Sequence, residues 1–268
     1  MTAPVFLLGT GEPTDPDAAA TTSPLAAAAP GQHLRLDGPE GRHAVAVRRM
    51  RVGEELVLTD GAGRGALAEV SELDGKQALV ATVLEVLDEP EPRPRITVVQ
   101  ALPKGDRGEL AVETMTEVGV DAIVPWQASR CVTQWKGERG AKSLLKWRAT
   151  AREAAKQARR LRFPAVHQPM STAAVTRLLA EAAWPVVLHE EGTAPLAGPA
   201  APAVPTTGEI VLVVGPEGGV APEELAAFAE AGATPRRLGR TVLRTSTAGT
   251  AAAAVLLAAS GRWSSPDA

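Results

Sequence analysis

The sequence predicts an α/β protein in which a small N-terminal β domain precedes a mostly parallel sheet covered by helices. From residue 96 onward, fully apolar strand-like segments alternate with helical segments, as in parallel sheets that are buried on both faces. Between residues 33 and 87, short Val- and Leu-rich segments are separated by the turn sequences "DGAGRG" and "LDGK". The run "DEPEPRPR" at 88–95 predicts an extended linker. The predicted domains are therefore residues 1–90 and 95–268.

Composition excludes several classes of protein. The 268 residues are 45% hydrophobic with a formal net charge of -3, which suits a globular protein with a large core. Cys131 is the single cysteine, so an intrachain disulfide and a multi-cysteine zinc site are excluded. The four histidines, His33, His43, His167 and His189, lack metal-ligand spacing, and we expect no metal. No segment predicts a signal peptide or a membrane span, so we expect a cytoplasmic protein without membrane contact.

Within the first domain, "APVFLL" near the N-terminus predicts an initial strand. Residues 12–31, rich in Pro, Ala, Ser and Thr, predict a flexible insertion. Further strands are predicted at "HAVAVRRMRV" (43–52), "EELVLTD" (54–60), "GALAEVSEL" (65–73) and "QALVATVLEVL" (77–87).

The sequence of the second domain predicts four strands and four helices. Ala111, Met115 and Val118 have helical spacing, and Gly119 should end that helix. The predicted strands are 96–102, 122–126, 185–190 and 209–215, and the further predicted helices are 140–163, 222–231 and 247–260.

The stretch "VLVVGPEGGVAPEEL" (211–225) joins a strand to a helix through a glycine-rich bend. Open α/β sheets bind ligands at the carboxyl ends of their strands, where this bend lies. The bend is not the G-x-G-x-x-G fingerprint, and Glu223 and Glu224 at the helix start disfavour a phosphate. A ligand without phosphate fits better. A tight connection whose glycines only satisfy backbone geometry is the alternative.

A second stretch, 236–260, repeats this design around Gly239. Thr245, Ser246 and Thr247 are each capable of capping the alanine-rich helix that follows. Arg244 stands just before them in an apolar segment, so its side chain should project toward a ligand or toward an acidic partner.

The predicted helix 140–163 is amphipathic and strongly basic. Its apolar stripe is Leu144, Trp147, Ala151, Ala154, Ala158 and Leu161. Its cations recur every three or four residues and should share one face: Arg148, Arg152, Lys156, Arg159 and Arg160. This face is a candidate polyanion-binding surface, although a solvated face would have the same pattern.

Five segments in order resemble the RsmE family of SPOUT-superfamily methyltransferases, from about residue 33 to the C-terminus. They are "KGDRGELAVETMTEVGVDAIVP", "EAAKQARRLRFP", "VLHEE", "VVGPEGGVAPEEL" and "LGRTVLRTSTA". The resemblance implies S-adenosylmethionine-dependent methylation of a uridine N3 in small-subunit (16S) ribosomal RNA, with RNA rather than DNA as partner. It also implies an N-terminal PUA-like β-barrel, a SPOUT-type parallel sheet with a trefoil knot, a homodimer, and the assembled subunit as substrate.

This reaction suggests roles for individual residues. We hypothesise that Arg244 is catalytic and stabilises negative charge on the uracil carbonyl oxygens. By resemblance, three loops would hold the cofactor, largely through backbone amides and carbonyls. Their residues are Leu188, His189, Glu190, Gly215, Glu217, Gly218, Gly219, Leu238, Gly239, Leu243, Thr245, Ser246, Thr247 and Ala248. Arg152, Lys156, Arg159 and Arg160 would hold RNA phosphates. For removal of the N3 proton, Glu217 and a water molecule are both candidates.

The chain departs from the family pattern at Ser246, where a glutamate is usual, and at Thr114, where a lysine is frequent. Its first β segment lacks the arginine often found there. Two other functions remain open: ribose 2′-O-methylation within the same superfamily, and RNA binding in assembly without catalysis. A nucleotide-dependent oxidoreductase is disfavoured because the phosphate fingerprint is absent.

Overall fold

The computed structural model describes residues 3–9, 11–18, 22–196, 198 and 201–264. The chain divides into two compact units, the first comprising Met1–Glu91 and Ala155–Phe163, the second Pro92–Ala154 and Pro164–Ala268. The division after Glu91 lies within the predicted linker. Residues 155–163 belong with the first unit, which the sequence did not indicate.

The first unit is built on a five-stranded sheet. Its elements in chain order are β1 (Val5–Leu7), β2 (His33–Leu36), α1 (Gly38–Arg42), a π-helix (His43–Val47), β3 (Glu55–Thr59), β4 (Arg64–Asp74) and β5 (Ala78–Asp88). The strand order is β1-β3-β4-β5-β2; β1 runs parallel to β3, and the other pairs are antiparallel. The two predicted hairpin turns join β3 to β4 and β4 to β5.

Two predictions for this unit are corrected. The predicted strand 43–52 is instead a π-helix over its first half, because Ala44 packs into the core while Ala46, two residues further on, is exposed, which is not the alternation of a strand. The prediction that residues 12–31 form a flexible insertion is wrong for residues 22–31. Leu25 is 0% exposed and packs in the core of the sheet, and its carbonyl accepts a hydrogen bond from Arg64 Nε. Residues 19–21 lie outside the described part of the chain.

The second unit is a seven-stranded parallel sheet with helices. Its elements are β6 (Arg95–Ala101), α2 (Arg107–Val118), β7 (Ala122–Trp126), α3 (Gly137–Gln157, which continues into the first unit), β8 (Ala165–Val166), α4 (Thr172–Glu181), β9 (Trp184–Leu188), β10 (Ala194–Pro195), β11 (Glu209–Val214), α5 (Pro222–Glu230), β12 (Thr234–Arg237) and α6 (Thr245–Ala259). The strand order is β10-β12-β9-β11-β6-β7-β8, and every pair is parallel.

The apolar strands form the centre of this sheet, as predicted. β11 and β7 are buried along almost their whole length, because helices cover the sheet. Gly119 ends α2 in the left-handed conformation (φ 105°). α2 packs against α6, and Gly249 lets α6 approach closely, because an added Cβ would lie 2.9 Å from Met115 Sδ.

Several boundaries differ from prediction. The long basic helix ends at Gln157 rather than near 163, since Arg159 takes a left-handed conformation (φ 58°) that stops it. The short strands β8, β10 and β12 and helix α4 were not predicted. Among the described residues, no helix is long and apolar enough to cross a membrane.

Candidate functional site

The carboxyl ends of three adjacent strands open onto one cleft. β12, β9 and β11 are neighbours and parallel, so the loops that follow them meet at the same edge of the sheet. The start of α6 closes the side of this cleft, and Arg107 at the start of α2 also lines it. Its volume is about 390 Å³, within the range of small-molecule sites.

Most residues predicted to hold a cofactor line this cleft. They are Leu188, His189, Glu190, Gly215, Glu217, Gly219, Leu238, Gly239, Leu243, Thr245 and Ala248, together with Arg244. Gly218, Ser246 and Thr247 do not line it. The Gly218 carbonyl instead accepts a hydrogen bond from Arg130 Nη1 at 3.1 Å. Thr247 Oγ1 donates to the Arg244 carbonyl, and Ser246 is 1% exposed.

The glycine bend after β11 is a tight turn that needs glycine. Gly219 has φ 72°, and its amide donates to the Pro216 carbonyl at 2.9 Å. Glu217 reaches across the bend, where its Oε1 accepts a hydrogen bond from the Lys104 amide at 3.2 Å. The bend therefore presents backbone groups and the Glu217 carboxylate to the cleft, and one oxygen of that carboxylate is fixed by the Lys104 amide.

The start of α6 differs from the predicted hydroxyl cap. The helix begins at Thr245 with Arg244 as N-cap, and no side chain caps it. Thr245, Ser246 and Thr247 therefore form the first turn rather than the cap. The buried Ser246 Oγ has no hydrogen-bond partner among the described atoms. Arg244 is exposed at the mouth of the cleft, and no described carboxylate pairs with it, which removes the ion-pair alternative for this side chain.

Further arginines line the cleft that sequence reasoning missed: Arg107, Arg236, Arg237 and Arg240. Arg236 is structural, because it is buried, donates to the Pro195 carbonyl and lies over the Trp184 ring. The density of arginines around Gly239 was a visible signal. Arg107 gave no such signal, since α2 is distant in sequence. The cleft is therefore rimmed with positive charge in a chain whose net charge is -3.

The thiol of Cys131, the single cysteine, has low reactivity. Burial raises the pKa of the Cys131 thiol, and the nearby carboxylates of Glu217 and Glu224 raise it further. At neutral pH the thiol stays protonated, so it is a poor nucleophile.

The predicted RNA-binding cations do not all lie on one helix. Arg152 and Lys156 lie on α3, whereas Arg159 and Arg160 come after its last residue, Gln157. Lys156 is corrected as a phosphate contact, because its side chain is 4% exposed and its Nζ lies 2.7 Å from Glu40 Oε1. Arg159 and Arg160 follow the end of the helix, and Arg159 is exposed.

Comparisons with known proteins agree with this architecture. Residues 89–257 match the model of an RNA methyltransferase domain, and residues 36–83 match that of an RNA methyltransferase PUA domain. A relative from Mycobacterium bovis, ribosomal RNA small subunit methyltransferase E, is 50% identical over 85% of this chain and 87% of its own length. The chain belongs to this RNA methyltransferase family. The resemblance predicted from the sequence is thereby confirmed.

More distant members of the RNA methyltransferase family extend the likeness. The Bacillus subtilis ribosomal RNA small subunit methyltransferase E is 29% identical, covering 80% of this chain and 85% of its own. A methyltransferase from Legionella pneumophila, solved with bound S-adenosylmethionine, is 28% identical with a TM-score of 0.76 over 97% of this chain and 98% of that chain. The Neisseria gonorrhoeae enzyme, bound to the same cofactor, is 26% identical with a TM-score of 0.77 over 96% and 98%.

Proposed function

We propose that this protein transfers a methyl group from S-adenosylmethionine to N3 of a uridine in small-subunit ribosomal RNA. The observation that carries the proposal is the glycine-lined cleft at the carboxyl ends of β9, β11 and β12, in a chain of the RNA methyltransferase family. The N-terminal unit, which matches a PUA domain, supplies a second surface for RNA.

The cleft suits S-adenosylmethionine by its donors and its shape. The apolar side chains of Leu188, Leu238 and Leu243 offer a wall for an adenine ring, and the Glu190 and Glu217 carboxylates are acceptors for hydroxyl or ammonium groups. Glycine backbone allows close approach. No P-loop or dinucleotide fingerprint is needed, because the cofactor carries no phosphate.

The sulfonium centre of the cofactor supplies an activated methyl group, so the protein must mainly align the uridine and manage its proton. Methyl transfer would break the sulfur–methyl bond and form the N3–C bond, leaving S-adenosylhomocysteine as the product. Loss of the N3 proton would place negative charge on the uracil carbonyl oxygens. Arg244 at the cleft mouth is placed to stabilise that charge. Glu217, whose Oε1 accepts a hydrogen bond from the Lys104 amide, and a water molecule are both candidates to accept the proton.

The RNA would be held by basic side chains of the protein. Arg152, Arg159 and Arg160 remain the proposed phosphate contacts, and the arginines of the cleft rim add to them. The assembled small subunit is the proposed substrate, and the trefoil knot of the superfamily is proposed for the chain from β11 to α6.

We also propose a homodimer. Val242 and Leu243, beside the cleft, are 78% and 39% exposed, an arrangement that a second copy of the chain would cover. Sedimentation equilibrium at micromolar concentration should report twice the chain mass. A monomer under those conditions would contradict the proposal.

Gly239 provides a direct test of the cofactor site. A Cβ at Gly239 would meet no atom of the protein within 4 Å, so a valine there should project into the cleft without straining the fold. For Gly239→Val we expect an unchanged melting temperature and an affinity for S-adenosylmethionine reduced at least roughly tenfold by titration calorimetry. Ala258→Val, exposed on α6, is the control. Equal affinity in both variants would contradict this placement of the cofactor.

A further inference from the structure

The first unit contains a small polar pocket, separate from the cofactor cleft, in which positive side chains converge. It has a volume of about 80 Å³, and it is lined by β1, the first residue of the π-helix, Arg48, the last two residues of α3 and Arg159. Its charged and titratable lining groups are His43, Arg48, Lys156 and Arg159. The sequence pattern grouped Lys156 with Arg159 but not with His43 or Arg48, because the π-helix and α3 are far apart along the chain.

One acid lies beside this pocket, and its charge is already balanced. Glu40 Oε1 accepts from Lys156 Nζ at 2.7 Å, and Glu40 Oε2 accepts from the Leu7 amide at 3.2 Å. The Lys156–Glu40 pair is largely buried, so it acts as a strut that joins the end of α3 to α1. The net positive charge of the pocket therefore comes from Arg48 and Arg159, which are exposed and have no carboxylate partner among the described residues.

The backbone around the pocket is unusual at three places. The π-helix His43–Val47 is a rare element that is frequent at functional sites. Arg49, next to Arg48, has φ 57°, and Arg159 has φ 58°; among the described residues these are the non-glycine positions with positive φ. Both end a helix at a position where glycine is usual. Arg159, which lines the pocket, is therefore held in a backbone conformation that costs free energy for a residue other than glycine.

We propose that this pocket binds one backbone phosphate of the RNA substrate, with Arg48 and Arg159 as its ligands and His43 at its wall. The Phe6 ring meets the His43 ring edge to face, with centroids 6.0 Å apart, which fixes the imidazole. The backbone amides of Arg48 and Met50 are used in ending the π-helix, so the side chains must bind the anion. RNA as the ligand rests on the proposed function; the pocket would position the substrate while the chemistry occurs in the cofactor cleft.

The test compares two charge-matched double variants. Arg48→Ala with Arg159→Gly removes the phosphate ligands and relieves the left-handed strain, whereas Arg51→Ala with Lys76→Ala removes two exposed charges of the same unit elsewhere. Binding of a transcribed small-subunit rRNA fragment is measured by filter retention over a range of salt. We expect the pocket variant to bind about tenfold more weakly, with its salt slope reduced by about 0.7 to 0.9, and the control to bind like the wild type.

Two further readouts separate the possible outcomes. Affinity for S-adenosylmethionine should be unchanged in both variants, and the melting temperature of Arg159→Gly should be no lower than that of the wild type. If Arg159 only stabilises the end of α3, the glycine variant will lose stability without losing RNA affinity, and the proposal fails. A wild type that binds RNA but methylates nothing would overturn the proposed function while leaving the pocket tested by binding.

Discussion

At the scale of single residues, Arg244 carries the most specific chemical assignment. It is exposed at the cleft mouth, precedes α6 and has no carboxylate partner among the described residues. We expect Arg244→Ala to lower kcat by about 100-fold, because one preorganised charge for the developing oxyanion is lost. Cofactor affinity should stay within about twofold. Single-turnover methylation, with Arg177→Ala on α4 as an exposed control, measures this; full turnover by Arg244→Ala would remove the assignment.

Arg262 after α6 holds the C-terminal segment to the sheet. Its Nη1 lies 2.6 Å from Asp121 Oδ2, and their side chains are 13% and 4% exposed. Asp121 Oδ2 also accepts from the Ile96 amide at 2.8 Å. Removing the arginine takes a hydrogen-bonded cation away from a buried carboxylate, so Arg262→Ala should lower the free energy of unfolding by about 3 kcal/mol.

Chemical denaturation measures the effect of Arg262→Ala, and Arg177→Ala again serves as the control because that side chain is exposed on α4. A loss below about 0.5 kcal/mol, the scale of a surface pair, would show that the bridge contributes little.

Residue-scale predictability depended on whether a signal was local. The glycines of the bend and Arg244 could be singled out from the sequence because the residues that mark the bend and the helix start are adjacent to them in the chain. Arg107 could not, since only the fold brings α2 to the cleft. Lys156 was misassigned for the converse reason: its periodicity is that of an exposed face, yet a partner more than a hundred residues away, Glu40, buries it.

At the scale of elements, the Glu224 side chain connects α5 to α4 and to the loop after β7. Its Oε2 accepts from the Ala221 amide at the start of α5, and its Oε1 accepts from the Ser129 amide and from Thr172 Oγ1 of α4. The residue is 5% exposed. Glu224→Ala should lower the free energy of unfolding by about 3 kcal/mol, because buried donors lose a charged acceptor.

The adjacent Glu223→Ala is the matched control, since Glu223 is exposed in the same helical turn. Thermal and urea unfolding of the two variants should differ clearly. If they lose equal stability, the loss reflects the favourable effect of an acid at a helix N-terminus rather than the network.

Elements with strong periodicity were predicted well, and short or irregular ones were not. β6, β7, β9 and β11 are continuous apolar runs, so burial on both faces is evident from the letters. The edge strands β8 and β10 have two residues each and carry no periodic signal. The π-helix at His43–Val47 was read as a strand because alanine and valine alternate there with no turn residue.

At the scale of the whole molecule, the order of strands explains how one site arises from three separate loops. The family resemblance implied ligand loops at 188–190, 215–219 and 238–248, and the strand order β12-β9-β11 explains why those loops are neighbours. The division into an RNA methyltransferase domain and a PUA domain could be predicted from the linker and the resemblance. The assignment of residues 155–163 to the first unit could not be predicted, because it depends on contacts with residues that are distant along the chain.

The most direct test of the proposed function is incubation of the purified protein with methyl-labelled S-adenosylmethionine and unmodified small ribosomal subunits, followed by nucleoside mass spectrometry of the rRNA. A parallel reaction with free rRNA tests whether the assembled subunit is required. We predict labelled 3-methyluridine at a single site, made from the assembled subunit and strongly reduced with Arg244→Ala. A labelled 2′-O-methylnucleoside, or no label from protein that binds the cofactor, would contradict the assignment.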